Sequence, residues 1–187
     1  MKPILAATIA LLILYSGIAF ASKDRGVYVG AGFNLVNIGA EDRFSNDVQF
    51  KVGEILLGYK HNRFVGLEAR TGMSLNDEVI AINQNGNSGA DTTLKASFST
   101  YTSIYYRAEF ANEIAKLYLL LGQTQLSTVN EFTDTNDVTL TDSGFSYGIG
   151  LGLWLNERIN LNFEIKNLVT TDTDSFFSSG INVDYRF

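Results

Sequence analysis

The sequence predicts an all-β fold: an eight-stranded antiparallel up-and-down transmembrane β-barrel, with short turns at one end and long loops at the other. Three observations predict it. Apolar residues recur at every second position through most of the chain, the period of a strand with one apolar face. Connections between these stretches alternate between three or four residues and eight or more. The positions between the apolar ones hold glycine and ionic side chains, so closing the sheet must put one class inside and the other outside.

Before the first strand stands a different kind of segment. Met1-Lys2 is followed by an apolar stretch, Ile4 to Phe20, that closes on Ala19-Phe20-Ala21. A positive start, an apolar run and a small-x-small exit predict a cleaved export signal over 1–21, leaving 22–187 as one barrel domain. Composition narrows the chemistry. The 187 residues include no cysteine and a single histidine, with 14 basic and 20 acidic side chains. That excludes a disulfide scaffold and thiolate chemistry. The acidic balance without a basic run speaks against nucleic acid as a partner.

Strand by strand, the pattern runs as follows. In 26–36, Val27, Val29, Ala31, Phe33 and Leu35 alternate with Tyr28, Gly30, Gly32 and Asn34. In 48–60 the apolar phase breaks between Val52 and Ile55, which predicts a bulge near Gly53-Glu54. In 64–73, Val65, Leu67 and Ala69 alternate with Gly66, Glu68 and Arg70. The strand at 96–110 is less regular, and the facing of 115–126 stays open, because Gln123 and Gln125 share a parity with Leu117, Leu119 and Leu121. In 144–155, Phe145, Tyr147, Ile149, Leu151, Leu153 and Leu155 alternate with Ser146, Gly148, Gly150, Gly152 and Trp154. The last two strands, 159–169 and 178–187, alternate as strictly. Short turns at 60–63, 111–114 and 156–158 leave the long connections at 37–47, 74–95, 127–143 and 170–177 on the opposite end.

Energy decides the facing. A cationic side chain turned to lipid at midplane costs about 2–4 kcal/mol, so a flipped register would lose on the order of 10 kcal/mol. The ionic parity therefore faces the lumen: Glu54, Glu68, Arg70, Arg107, Glu109, Glu164, Lys166, Asp184 and Arg186 are the predicted cross-lumen ion-pair network, five carboxylates against four cations. Eight strands enclose a lumen that side chains just fill. A polar plug is the main expectation and a narrow, porin-like path for small solutes or ions the alternative.

The chain resembles the small eight-stranded outer-membrane barrels of Gram-negative bacteria, the OmpA-like and OmpX-like β-barrel domains. The resemblance rests on Gly26-Val27-Tyr28-Val29-Gly30-Ala31-Gly32, on Leu57-Gly58-Tyr59 before a short turn, and on the closing Val183-Asp184-Tyr185-Arg186-Phe187. It implies an outer-membrane location with periplasmic turns and extracellular loops. It also implies a monomer among outer-membrane lipid and lipopolysaccharide, with a structural or surface-interaction role in adhesion or envelope integrity. By the same resemblance Val183, Tyr185 and Phe187 would carry the signal read by the barrel-assembly machinery. Phe176-Phe177 and Tyr28 or Tyr59 are expected in the aromatic girdles.

Catalysis finds no footing. His61 stands in a short turn, and no nucleophile elbow, zincin or phosphate-loop motif occurs. No catalytic, cofactor-binding or metal residue is assigned, and no cofactor is expected. Asp134-Thr135-Asn136-Asp137 has only part of a calcium-loop pattern. The long connections hold twelve acids and two bases, Arg43 and Lys95. Solubility, divalent-cation bridging to lipopolysaccharide and binding of an extracellular ligand each fit that charge.

Overall fold

The computed structural model describes residues 25–40, 48–76, 78–81, 93–132, 135–170 and 174–187. The predicted leader, 1–21, and residues 82–92 of the long connection expected at 74–95 lie outside the described residues. Every element described is a strand: β1 Gly26–Ala40, β2 Val48–Lys60, β3 Val65–Ser74, β4 Glu78–Ala81, β5 Thr93–Ala111, β6 Ala115–Phe132, β7 Thr135–Trp154, β8 Ile159–Thr170 and β9 Asp174–Arg186.

These nine segments form eight staves. β4 continues β3 beyond a break at Leu75-Asn76, and both pair antiparallel with β5. Lys51 makes the break: its carbonyl accepts from the Leu75 amide at 2.7 Å, and its amide donates to Asn76 Oδ1 at 2.7 Å. Counting β3 and β4 as one stave, each stave pairs with its neighbours in sequence, and the β1–β9 pairing closes the antiparallel barrel.

The stagger follows from the register. From Lys116 the pairs run to Gly152, Asn162, Asn182, Gly32, Glu54, Gly72, Tyr101 and back to β6 at Leu126, ten residues further on. Such a stagger tilts the strands by roughly 35–45°. Facing is uniform. Leu117, Leu119 and Leu121 point outward with Gln123 and Gln125, while Lys116, Tyr118, Leu120, Thr124 and Leu126 are buried inside. The two glutamines lie further toward the loop end than the leucines, which resolves the parity of β6.

Two sequence expectations are corrected. No bulge interrupts β2: its register with β1 and β3 is continuous through Gly53-Glu54. The apolar phase breaks there because Val52 and Leu56 face inward with Glu54, while Ile55 and Leu57 face outward. Register shifts occur instead at Phe98/Thr100, Asn130/Phe132 and Asn167/Val169. The strands also run into segments expected as loops. β6 and β7 stay paired out to Phe132↔Thr135, through most of 127–143.

The three short turns share one device. Asn62 Oδ1 accepts from the amides of Phe64 and Val65, Asn112 Oδ1 from Ile114 and Ala115, and Asn156 Oδ1 from Arg158 and Ile159, all at 2.7–3.0 Å. An asparagine that satisfies the amides two and three residues on closes a tight turn without needing glycine.

Inside, large side chains lie across from glycine. Tyr28 pairs in register with Gly58, Tyr101 with Gly72, Tyr105 with Gly122 and Tyr118 with Gly150. A Cβ on Gly150 would stand 2.2 Å from Tyr118 Cζ, and one on Gly58 2.1 Å from Tyr28 Cζ. The glycines supply the volume that the rings fill. Gly150→Ala should therefore cost about 1–3 kcal/mol of overpacking in urea unfolding of the refolded barrel. Gly53→Ala, on the outward face with its nearest neighbour at 3.6 Å, should stay within about 0.5 kcal/mol of the parent.

Candidate functional site

Lumen side chains come from the inward positions of all eight staves, so the chemistry is assembled by closure and not by any one strand. Arg70 on β3 stands at its centre. Its Nε and Nη2 donate to Glu68 Oε2 at 2.8 and 2.5 Å. Nη1 reaches Glu54 Oε1 at 3.0 Å, and Nη1 and Nη2 grip both oxygens of Glu164 at 2.6 and 2.9 Å. One guanidinium thus joins three carboxylates from β2, β3 and β8.

Each of those carboxylates has further partners. Lys166 Nζ lies 2.7 Å from Glu54 and 3.3 Å from Glu164. Arg107 pairs with Glu68 and, at 3.1 Å, with Glu109. Tyrosine hydroxyls complete the set: Tyr28 donates to Glu68 and Tyr118 to Glu164, each at 2.5 Å, and Tyr101 donates to Glu54. Toward the turn end, Lys60 donates to Glu109 at 2.5 Å, and Asp184 accepts from Lys116, Asn160 and Asn162 at 2.7–3.0 Å. The Arg107 guanidinium lies 3.6 Å above the Tyr118 ring, and that of Arg186 4.4 Å from the Trp154 ring.

All nine residues proposed for the network are buried in the lumen. The structure adds Lys60 and Lys116, making six cations against five carboxylates among the described residues. The expected net charge of −1 becomes +1. Lys60 shares the parity of the inward Glu54, and Lys116 the parity opposite Leu117, Leu119 and Leu121; that parity was the signal that could have found them.

The lumen is not polar throughout. Beyond Glu54 and Arg70, toward the loop end, Val36, Phe50, Val52, Tyr101, Leu126, Leu168, Val169 and Phe176 form a buried apolar cluster. The register shift between Asn167 and Val169 buries Leu168 and Val169 together, although they are adjacent in sequence. Phe176, expected in a girdle, points inside, while Phe177 is exposed on the outer face; of the alternatives Tyr28 and Tyr59, Tyr59 is exposed and Tyr28, on the parity of Gly30 and Gly32, is buried in the lumen. Strand ends with inward Val36 and Val52 beside inward Asn34 and Glu54 were the legible trace of this cluster.

The outer face is the inverse. Ile55, Leu57, Leu67, Ile104, Phe110, Leu117, Leu119, Leu121, Phe145, Ile149, Leu151, Phe163 and Ile181 are all more than a third exposed. In water such a surface would be an aggregation site; against acyl chains it is the solvated one. A family model described as the outer membrane protein beta-barrel domain matches residues 6–187. The chain belongs to that family.

Solved structures agree on the fold. Ail, the attachment invasion locus protein of Yersinia pestis, superposes with a TM-score of 0.63 at 13% identity, over 88% of this chain and 99% of that one. Neisserial surface protein A gives 0.61 at 11% identity, covering 86% and 97%. OprG from Pseudomonas aeruginosa gives 0.60 at 10% identity, covering 88% and 97%. No curated protein sequence matches the chain. The expected outer-membrane barrel fold and location hold. His61 is exposed in the turn after β2, and the acids of the partial calcium pattern, Asp134 and Asp137, have side chains outside the described residues.

Replacing Arg70 by Met would leave Glu54, Glu68 and Glu164 facing one another without their shared cation. Removing one partner of a buried ionic group costs about 3–5 kcal/mol. A loss of that size is expected in urea unfolding of the detergent-folded barrel, and a loss below about 1 kcal/mol would deny Arg70 its central place.

Proposed function

We propose that this barrel is a closed, non-catalytic platform in the outer membrane that works through its surface loops. The observation that carries the reading is the two-layer filling of the lumen. Eleven charged side chains pair with one another across the interior, and an apolar layer stands over them toward the loop end. Ions crossing that path would have to break buried pairs and then enter a dry layer with no compensating dipole. Side chains that neutralise one another in this way offer no poised acid or base for catalysis.

The loop end is where a partner would be met: its segments 37–47, 74–95, 127–143 and 170–177, connections and strand ends together, hold twelve acids and two bases. Ail was crystallised with the heparin analogue sucrose octasulfate. The charge here argues for a different ligand class, since a polysulfate would meet like charge. The loops suit cationic protein surfaces, or divalent ions that link carboxylates to anionic lipopolysaccharide. The barrel acts as a monomer on this reading, and Val183, Tyr185 and Phe187 serve as its assembly signal.

Three measurements test it. In planar bilayers the refolded protein should give no steady openings, whereas Phe50→Ala and Phe176→Ala with Arg70→Ala together should. Steady conductance by the parent chain would favour the channel reading. Cells displaying the folded barrel should adhere to immobilised polylysine more than tenfold better than to immobilised heparin, and the opposite order would refute the assignment of ligand charge. Deleting Phe187 should lower the amount of inserted barrel several-fold in outer-membrane fractions; unchanged insertion removes the assembly-signal claim.

A further inference from the structure

At the turn end, three arginines lie on one arc of the rim, each held against an aromatic side chain. Arg25, just before β1, donates through Nε to Tyr59 OH at 3.2 Å. Arg158, in the turn before β8, donates through Nη1 to Tyr185 OH at 3.1 Å. Arg63, in the turn after β2, has its guanidinium 4.5 Å from the Phe64 ring centroid. The register joins them: Tyr59 pairs with Val27 and Tyr185 with Val29, on either side of β1, and Tyr185 also pairs with Ile159 at the start of β8. The arc therefore runs continuously from β8 through β9, β1 and β2 to the turn before β3.

These rings sit where the apolar outer face ends. Tyr59, Phe64 and Phe187 are exposed there, and Phe187 meets Tyr185 edge to face at 5.2 Å. Aromatic residues at the edge of an apolar band mark the headgroup level of a bilayer. Among the described residues, none of the three arginines forms a salt bridge, in contrast to the paired cations of the lumen. Each contact with a tyrosine uses a single N–H, which leaves the other N–H groups of the planar fork to meet two oxygens of one phosphate. Among the described residues Glu157 is the one acidic side chain placed on the arc, while the remaining short turn, Asn112-Glu113-Ile114, lies on the opposite side and has no cation.

We propose that this arginine–aromatic arc is a binding site for the phosphate of an anionic glycerophospholipid in the leaflet that meets the turns. The aromatic partners fix the guanidinium groups at headgroup depth, and charge complementarity selects the occupant. The assignment needs only the membrane-spanning barrel and does not depend on what the loops bind.

Spin-labelled phosphatidylglycerol and phosphatidylcholine, each at trace level in phosphatidylcholine proteoliposomes, provide the test. Electron paramagnetic resonance reads the fraction of each label motionally restricted at the protein surface. The parent barrel should restrict phosphatidylglycerol about two- to fourfold more than phosphatidylcholine at low salt, the scale set by a few interfacial cations partly screened by water. R25Q/R63Q/R158Q should bring the ratio close to one. R25K/R63K/R158K, which keeps charge and loses the fork, should fall between. Lys51→Gln, an exposed cation near the opposite rim, should leave the ratio unchanged. A ratio near one for the parent, or an unaltered ratio in the glutamine triple variant, overturns the proposal. So does loss of the preference with millimolar inorganic phosphate at constant ionic strength, which would make the site one for free phosphate.

Discussion

A guanidinium shared by three carboxylates inside a wall whose outer surface is oil is the contact on which the rest of this molecule turns. Arg70 joins Glu54, Glu68 and Glu164, groups on three strands of which one lies 94 residues away in sequence. None of these charges could face lipid without a cost of kilocalories, and none could stay buried alone. Only closure of the sheet brings them together. The same closure removes the sheet edges, which in a bilayer would leave backbone groups with no partner.

Volume is settled by a second pairing rule. Each inward tyrosine lies across from a glycine of the next strand, so the lumen is filled by rings that reach over empty positions. Three of those rings, Tyr28, Tyr101 and Tyr118, then present their hydroxyls to the carboxylates gathered around Arg70. Packing and charge satisfaction are thus one arrangement seen twice. A stagger of ten residues allows it, because it sets which inward positions meet across the barrel.

The two ends divide the remaining roles. At the loop end an apolar layer stands above the ionic one, and the connections beyond are acidic. At the turn end, arginines rest on exposed aromatics. On the proposed reading, the first end meets the outside world and excludes polyanions, while the second fixes the barrel's depth against phosphate headgroups. A shared fold with Ail and OprG does not require a shared ligand, since function resides in sites carried on a fold and not in the fold itself.

Strand identity, the class of the fold and the facing of most strands, 115–126 excepted, were legible in the residues themselves, because a period of two is a local property and lipid makes a flipped register expensive. Strands such as 144–155 and 159–169 could be read almost residue by residue, and the buried acids and arginines followed from their parity. What the chain alone did not determine was anything that depends on who lies across the barrel. The break in phase at Val52 and Ile55 resembles a bulge until closure shows Val52 and Leu56 packed inside. The shift at Asn167/Val169, which turns two adjacent side chains inward, has no local marker. Phe176 is aromatic either way, and only its pairing with Val169 beyond that shift, in the closed sheet, decides that it fills the lumen instead of meeting lipid.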